Sequence, residues 1–184
     1  MGTASSTKTY SPEDLELMPD AVAYELNDAG ELVERAMGAK SSGIGITIAT
    51  LFRNFVSLTG LGQILGSDVG LKLWPETPRR FRRPDVAFLS FARWPGELPE
   101  GYLEVAPELI VEVVSRRDVA EDLAEKATQY FAAGVQLVWI VYPRTRAVLV
   151  LRTGTAASWL SGDDPISGED VLPGFEATVS DFFA

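Results

Sequence analysis

The chain has 184 residues, 46% hydrophobic and 23% charged, a balance that suits one globular domain with a sizeable core. It contains neither cysteine nor histidine, which excludes disulfides, thiolate metal sites, Ser-His-Asp chemistry and imidazole-ligated zinc. The formal net charge of −10 argues against indiscriminate affinity for nucleic acid, and any metal must be held by oxygen, as Mg²⁺ or Mn²⁺ would be.

Residues 1–10 read as a disordered or tag-like N-terminus and 11–184 as a single domain. The opening residues are small and polar, with no apolar core of a signal peptide, and no apolar run reaches the length of a membrane span. The expectation is a soluble cytoplasmic protein with no membrane partner.

Ser11-Pro12-Glu13-Asp14 reads as a helix start: a Ser cap, Pro at the first helical position and acids in the first turn. Ala23–Leu26 and Glu31–Met37 flank Asn27-Asp28-Ala29-Gly30, the pattern of a hairpin. From Ser42 the period changes. Ile44, Ile48, Leu51, Phe52, Phe55 and Leu58 recur at helical spacing up to Gly60-Leu61-Gly62. Gln63–Leu65 and Val69–Trp74 read as strands, with Gly70 marking a bulge or a close approach. Pro84 leads into a strand over Asp85–Leu89, and a Pro- and Gly-marked loop runs from Trp94 to Pro107. Leu109–Val114 is apolar apart from Glu112, as in a strand buried on both faces. Asp118-Val119-Ala120-Glu121 has the form of a capping box opening a helix to about Ala133, ended by Gly134. Leu137–Val141 and Val148–Leu151 read as a further strand pair, and the polar stretch Ser161–Asp170 as a surface loop. The order predicts a mixed α/β fold on a central sheet.

Three charges stand where apolar residues belong. Side chains alternate along a strand, so Leu109, Val111 and Val113 share one face and Glu108, Ile110, Glu112 and Val114 the other. Glu112 is therefore an acid in the middle of the most apolar strand, and it needs a cation, a metal or a hydrogen-bond network. An arginine across the sheet would also serve. Asp85 gains weight only if its strand lies beside that of Glu112. On the helix from Asp118, Lys126 falls within the stripe Val119, Leu123, Ala127, Tyr130 and Phe131 and points toward the sheet. A snorkelling lysine, or an ion pair with Asp122 four residues earlier, would explain it equally. Two carboxylates can hold a divalent cation that activates water, while a lysine orients that water or offsets negative charge.

The chain resembles the Uma2 (DUF820) group of restriction-endonuclease-like proteins in the PD-(D/E)XK nuclease superfamily. The likeness rests on Tyr24-Glu25-Leu26 to Gly30–Glu34, Arg83-Pro84-Asp85-Val86 and Pro107–Ser115. It continues through Lys126, Tyr130, Gly134-Val135, Val138–Val141 and Leu172-Pro173-Gly174-Phe175, covering nearly everything from Ser11 onward. It implies an α/β (α+β) fold with a restriction-endonuclease-like central mixed sheet, flanking helices, an N-terminal helix and a hairpin. It also implies Mg²⁺ (or Mn²⁺) on Asp85 and Glu112, cleavage of double-stranded DNA, and a homodimer. The superfamily lysine stands two residues after the second acid, where this chain has Val114; the resemblance implies that Lys126 takes over its role. Glu34, or else Glu31, would add an N-terminal catalytic carboxylate. Two positions depart from the family pattern: Tyr142 replaces an acid, and Lys40–Gly45 lacks a histidine.

A non-catalytic regulatory or binding protein on the same fold is the alternative, favoured by the acidic net charge. Arg79-Arg80, Arg82-Arg83 and Arg116-Arg117 read either as phosphate contacts or as solvated turn charges. Trp74, Trp94 and Trp159 read either as dimer anchors or as core packing.

Overall fold

A computed structural model describes residues 8–35 and 38–184. Helix α1, Pro12–Glu16, starts on the expected reciprocal cap: Ser11 Oγ accepts from Asp14 N while the Asp14 carboxylate accepts from Ser11 N. Strands β1 (Tyr24–Leu26) and β2 (Leu32–Glu34) form the hairpin, its turn closed by Asn27 Oδ1 accepting from Ala29 and Glu31 N. Of the segment expected to reach Met37, positions 36 and 37 lie outside the described residues, as do residues 1–7. Helix α2, Ala39–Thr59, begins three residues before the apolar period becomes visible. Its first turn, Ala39-Lys40-Ser41, has no apolar repeat to read.

The six-stranded sheet runs β3 (Gly62–Leu65), β4 (Val86–Ser90), β5 (Leu109–Val113), β6 (Leu137–Tyr142), β7 (Ala147–Arg152), β8 (Ser158–Ser161), adjacent in that order. Every pairing is antiparallel except β5 with β6, and a parallel pair requires a crossover. Helix α3, Ala120–Ala132, makes it, and Gly134 at φ +98° turns the chain back toward β6.

Alternation splits the core as the sequence indicates. Leu109, Val111 and Val113 pack with Ile48 and Phe52 of α2 and with Phe175 and Phe182 near the C-terminus. Ile110 packs with Leu123, Ala127 and Tyr130 of α3 on the other face. A smaller cluster, Leu15, Leu26 and Phe81, fastens α1 and the hairpin to the body.

Four expectations need correction. Val69–Trp74 is not a strand: Leu71 makes isolated bridges to Arg82 and Leu103 only. A Cβ on Gly70 would lie 2.1 Å from the Phe81 ring, so this segment is clamped on an aromatic ring rather than laid along a ladder. Asp118 does not cap α3; its Oδ2 accepts from Ser115 N at 2.6 Å, and the helix begins after Val119 without a side-chain cap. Val119 is exposed, not part of the buried stripe. The polar stretch 161–170 contains β9 (Pro165–Ser167), paired with β10 (Glu176–Thr178) and anchored by its one buried apolar residue, Ile166. One inward residue in three was too short a period to read.

The tryptophans divide. Trp74 is core, its Nε1 donating to Gln129 O. Trp94 is half-buried and donates to Glu97 O, while Trp159 is exposed on the edge strand β8 beside Tyr142.

Candidate functional site

β4 and β5 bring the two acids together. Val86 pairs with Val111, so Asp85 falls just outside the ladder beside Glu112. The Asp85 backbone N–H donates to Val111 O at 3.2 Å, and its Oδ2 accepts from Val113 N at 2.7 Å. The aspartate therefore caps the end of the strand that carries Glu112. Both carboxylates line a cleft of about 650 Å³, bordered by α2, α3 and the hairpin.

Glu112 is 7% exposed and accepts a 2.6 Å hydrogen bond from the Tyr130 hydroxyl of α3. It does not pair with an arginine across the sheet. Lys126 points into the same cleft. Its Nζ lies 2.9 Å from Glu25 Oε2, so its ion-pair partner is Glu25 rather than Asp122.

Glu25 is the cleft residue that the sequence did not point to. It is 1% exposed and takes three donors: Lys126 Nζ, Arg82 Nη1 at 3.4 Å and Arg83 N at 2.9 Å. Leu26 and Phe81 exchange backbone hydrogen bonds, which holds the hairpin against the Arg82-Arg83 segment and drives Glu25 inward. The signal was present but short: Leu26 beside it is fully buried, yet a three-residue strand offers too little alternation to assign faces.

Glu34, the expected N-terminal carboxylate, stands on the rim of the cleft, its side chain 66% exposed and 3.3 Å from Arg117. Glu31 belongs to the hairpin turn, accepting from Asn27 Nδ2. Most of the expected arginine clusters are committed within the protein. Arg79 donates to Ala29 O, Arg80 to Asp28 and Arg82 to Gln129.

The electrostatics separate these groups. Burial pushes Glu112 up to about 7; Lys126 opposes the shift, and the charges of Asp85 and Glu25 add to it. Burial also raises Asp85, although the Val113 N–H and Arg35 pull the other way. Glu25 is the reverse case: burial works against its charge, but Lys126 and Arg82 outweigh it and hold the carboxyl below its usual range. Burial likewise opposes the Lys126 charge, and Glu112 and Glu25 raise it above the ordinary lysine range nonetheless. These carboxylates favour the charged, hydrogen-bond-donating form of Lys126. The Tyr130 hydroxyl, raised well above its usual value by burial and the carboxylates, stays protonated.

The donor set fits a hard divalent cation. Asp85 and Glu112 are adjacent, both biased by burial against carrying charge, and both open to one cleft. Among the described residues no group of three or more carboxylates is gathered into a cage. A cation here would be held by two carboxylates, its shell completed by water or substrate oxygens, a mode that suits Mg²⁺.

The mixed sheet with one parallel step sets Asp85 and Glu112 on neighbouring strands, with Lys126 of α3 lining the same cleft, on a fold of the nuclease-like class. The Uma2 family model, described as "Putative restriction endonuclease", matches residues 12–180, and the chain belongs to that family. Among solved structures it is similar to one described as a "putative nuclease belonging to DUF820" from Anabaena variabilis ATCC 29413. The TM-score is 0.80 at 16% identity, covering 95% of this chain and 97% of that one, a likeness of fold. No curated protein matches the chain. No helix among the described residues is long and apolar enough to cross a membrane.

Proposed function

We propose that the cleft is the active site of a divalent-cation-dependent endonuclease acting on DNA phosphodiester bonds. The observation that supports it best is the under-compensated acid pair, Asp85 beside a Glu112 whose one direct hydrogen bond among the described residues is from Tyr130. Mg²⁺ (or Mn²⁺) held by Asp85 and Glu112 would polarise a phosphoryl oxygen and lower the pKa of a bound water. Tyr130 fixes one oxygen of Glu112 and leaves the other to the cleft. Asp85 is oriented by Val113 N. Lys126, kept cationic by Glu25 and Glu112, donates toward the phosphoryl oxygens, where negative charge grows as the water oxygen bonds phosphorus and gives its proton to solvent, and the sugar oxygen departs and takes a proton from solvent. Its 2.9 Å contact with Glu25 sets where that charge sits. Glu34 on the rim is a further candidate on the side of the cleft near Arg117.

The net charge of −10 favours a second reading, a binding protein that keeps the fold and the cleft without hydrolysis. Plasmid nicking separates the two. With Mg²⁺ or Mn²⁺ the wild type nicks, while Asp85→Ala and Glu112→Ala each lose at least about 100-fold, the scale of removing a positioned charged group. Absence of nicking in the wild type, or activity unchanged in both variants, rejects hydrolysis at this cleft.

A further inference from the structure

The cleft contains two guanidinium groups that hydrolysis by Asp85, Glu112 and Lys126 leaves without a role. Arg35 follows β2, and its side chain is only 8% exposed. Among the described residues its one hydrogen bond runs from Nη1 to Val22 O at 2.9 Å. Its Nη2 lies 3.7 Å from Asp85 Oδ1, an ion pair too long to be a hydrogen bond. A guanidinium carries five donors, so most of this one is uncommitted.

Arg83 is 6% exposed, and its Nε is buried with no hydrogen-bond partner among the described residues. Its Nη1 donates to Asp68 O and its backbone N–H to Glu25. Both arginines line the cleft. Glu25, which accepts from the Arg83 backbone, is already shared between Lys126 and Arg82. Neighbouring buried cations with spare donors are costly unless an anion joins them. They stand in a cleft of an otherwise acidic chain.

We propose that Arg35, backed by Arg83, is a phosphate subsite that grips a phosphodiester of the bound strand next to the carboxylate pair. The inference rests on reading the cleft as a nucleic-acid site. It also implies a coupling: when a divalent cation neutralises Asp85, Arg35 loses its carboxylate partner and its donors turn to the phosphate. Cation and strand then each strengthen the binding of the other, by the same factor. Arginine suits this task because its planar fork meets two phosphate oxygens at once.

The test is equilibrium binding of a short fluorescein-labelled DNA duplex to the full chain, by anisotropy, in EDTA and with Ca²⁺ in place of Mg²⁺. The wild type binds more tightly with Ca²⁺ than in EDTA. Arg35→Gln loses about ten-fold or more in affinity with Ca²⁺, the scale of a charged hydrogen bond, and the gain from Ca²⁺ shrinks with it. The slope of log affinity against log salt falls by about one, which loss of a purely structural arginine would not produce. Arg35→Lys keeps the slope and loses part of the affinity, so the inference remains open to test even if the glutamine variant folds poorly. Arg53→Gln, on α2 outside the cleft, leaves both unchanged. Unchanged affinity and slope in Arg35→Gln overturn the inference even if the wild type nicks plasmid. So does a wild type that binds no duplex, or displacement of the duplex by inorganic phosphate at constant ionic strength, which would mark a site for the free anion. An Arg35-dependent complex in a protein that never nicks upholds the subsite and rejects hydrolysis.

Discussion

Glu25 and Glu112 are both buried glutamates on short strands, both coupled to Lys126, yet their surroundings are opposite. Glu25, at the hairpin side of the cleft, receives two cationic side chains and a backbone N–H. Its charge is satisfied and held below the usual carboxylate range despite burial. Glu112, at the sheet side, receives a single neutral hydroxyl and is pushed up to about 7, chiefly by burial. The first has the character of a structural ion-pair network; the second is a buried acid with few donors, the property on which the proposed cation site rests. Burial alone does not distinguish a structural acid from a functional one. Its complement of donors does.

The largest test of that contrast removes each acid in turn. Glu25→Ala leaves Lys126 and Arg82 buried without their carboxylate, and unfolding in denaturant should show a loss of about 3–5 kcal/mol. Glu112→Gln removes a disfavoured charge while its amide oxygen still accepts from Tyr130, so the metal-free protein at pH 8 should be no less stable than the wild type. Equal destabilisation by both would erase the distinction.

The pH dependence sharpens it further. The folded value of Glu112, about 7, lies above its ordinary 4.5, so its contribution to stability is complete below 4.5 and disappears as pH rises through 7. Glu25 runs the other way: its contribution is present above 4.5 and is lost as pH falls through its depressed value. The stability difference between wild type and Glu112→Gln, followed from pH 5 to 8.5 without metal, isolates the first effect. It should move against the wild type from pH 5 to about 7 and level off above that; a flat difference over the lower range contradicts the raised value. Saturating Mg²⁺ should abolish the drift.

Tyr130→Phe is a smaller perturbation. It deletes the Tyr130 hydrogen bond to Glu112 and should cost about 1–2 kcal/mol in thermal or chemical unfolding. Glu34→Ala is the smallest. Its pair with Arg117 is mostly exposed, so stability should change by less than about 0.5 kcal/mol. Any ten-fold effect on nicking would then assign Glu34 a role in the reaction rather than in the fold.

Much of this was legible in the sequence, for identifiable reasons. The helix of Ile44 to Leu58 and the strand around Glu112 carry long periodic signals, and the reciprocal cap at Ser11 is local. An acid among valines on Leu109–Val113 and a lysine within the α3 stripe broke those periods visibly. Glu25 and Arg35 could not be placed the same way. They sit on or just after three-residue strands, and the Leu26–Phe81 pairing that orients the hairpin joins positions far apart in the chain. Gly70 was readable as a close approach, but the Phe81 ring that occupies its side-chain space was not. Asp118 looked like a cap because the local pattern fitted; a nearer donor, Ser115 N, took its carboxylate.

Calorimetric titration of Mn²⁺ into the wild type and Glu112→Gln at pH 8 tests the central claim most directly, because it asks whether the under-compensated acid is a cation site without requiring turnover. One site per chain in the wild type, lost in Glu112→Gln and retained in Glu34→Ala, is the predicted result. No binding by the wild type, or equal binding by wild type and Glu112→Gln, would contradict it.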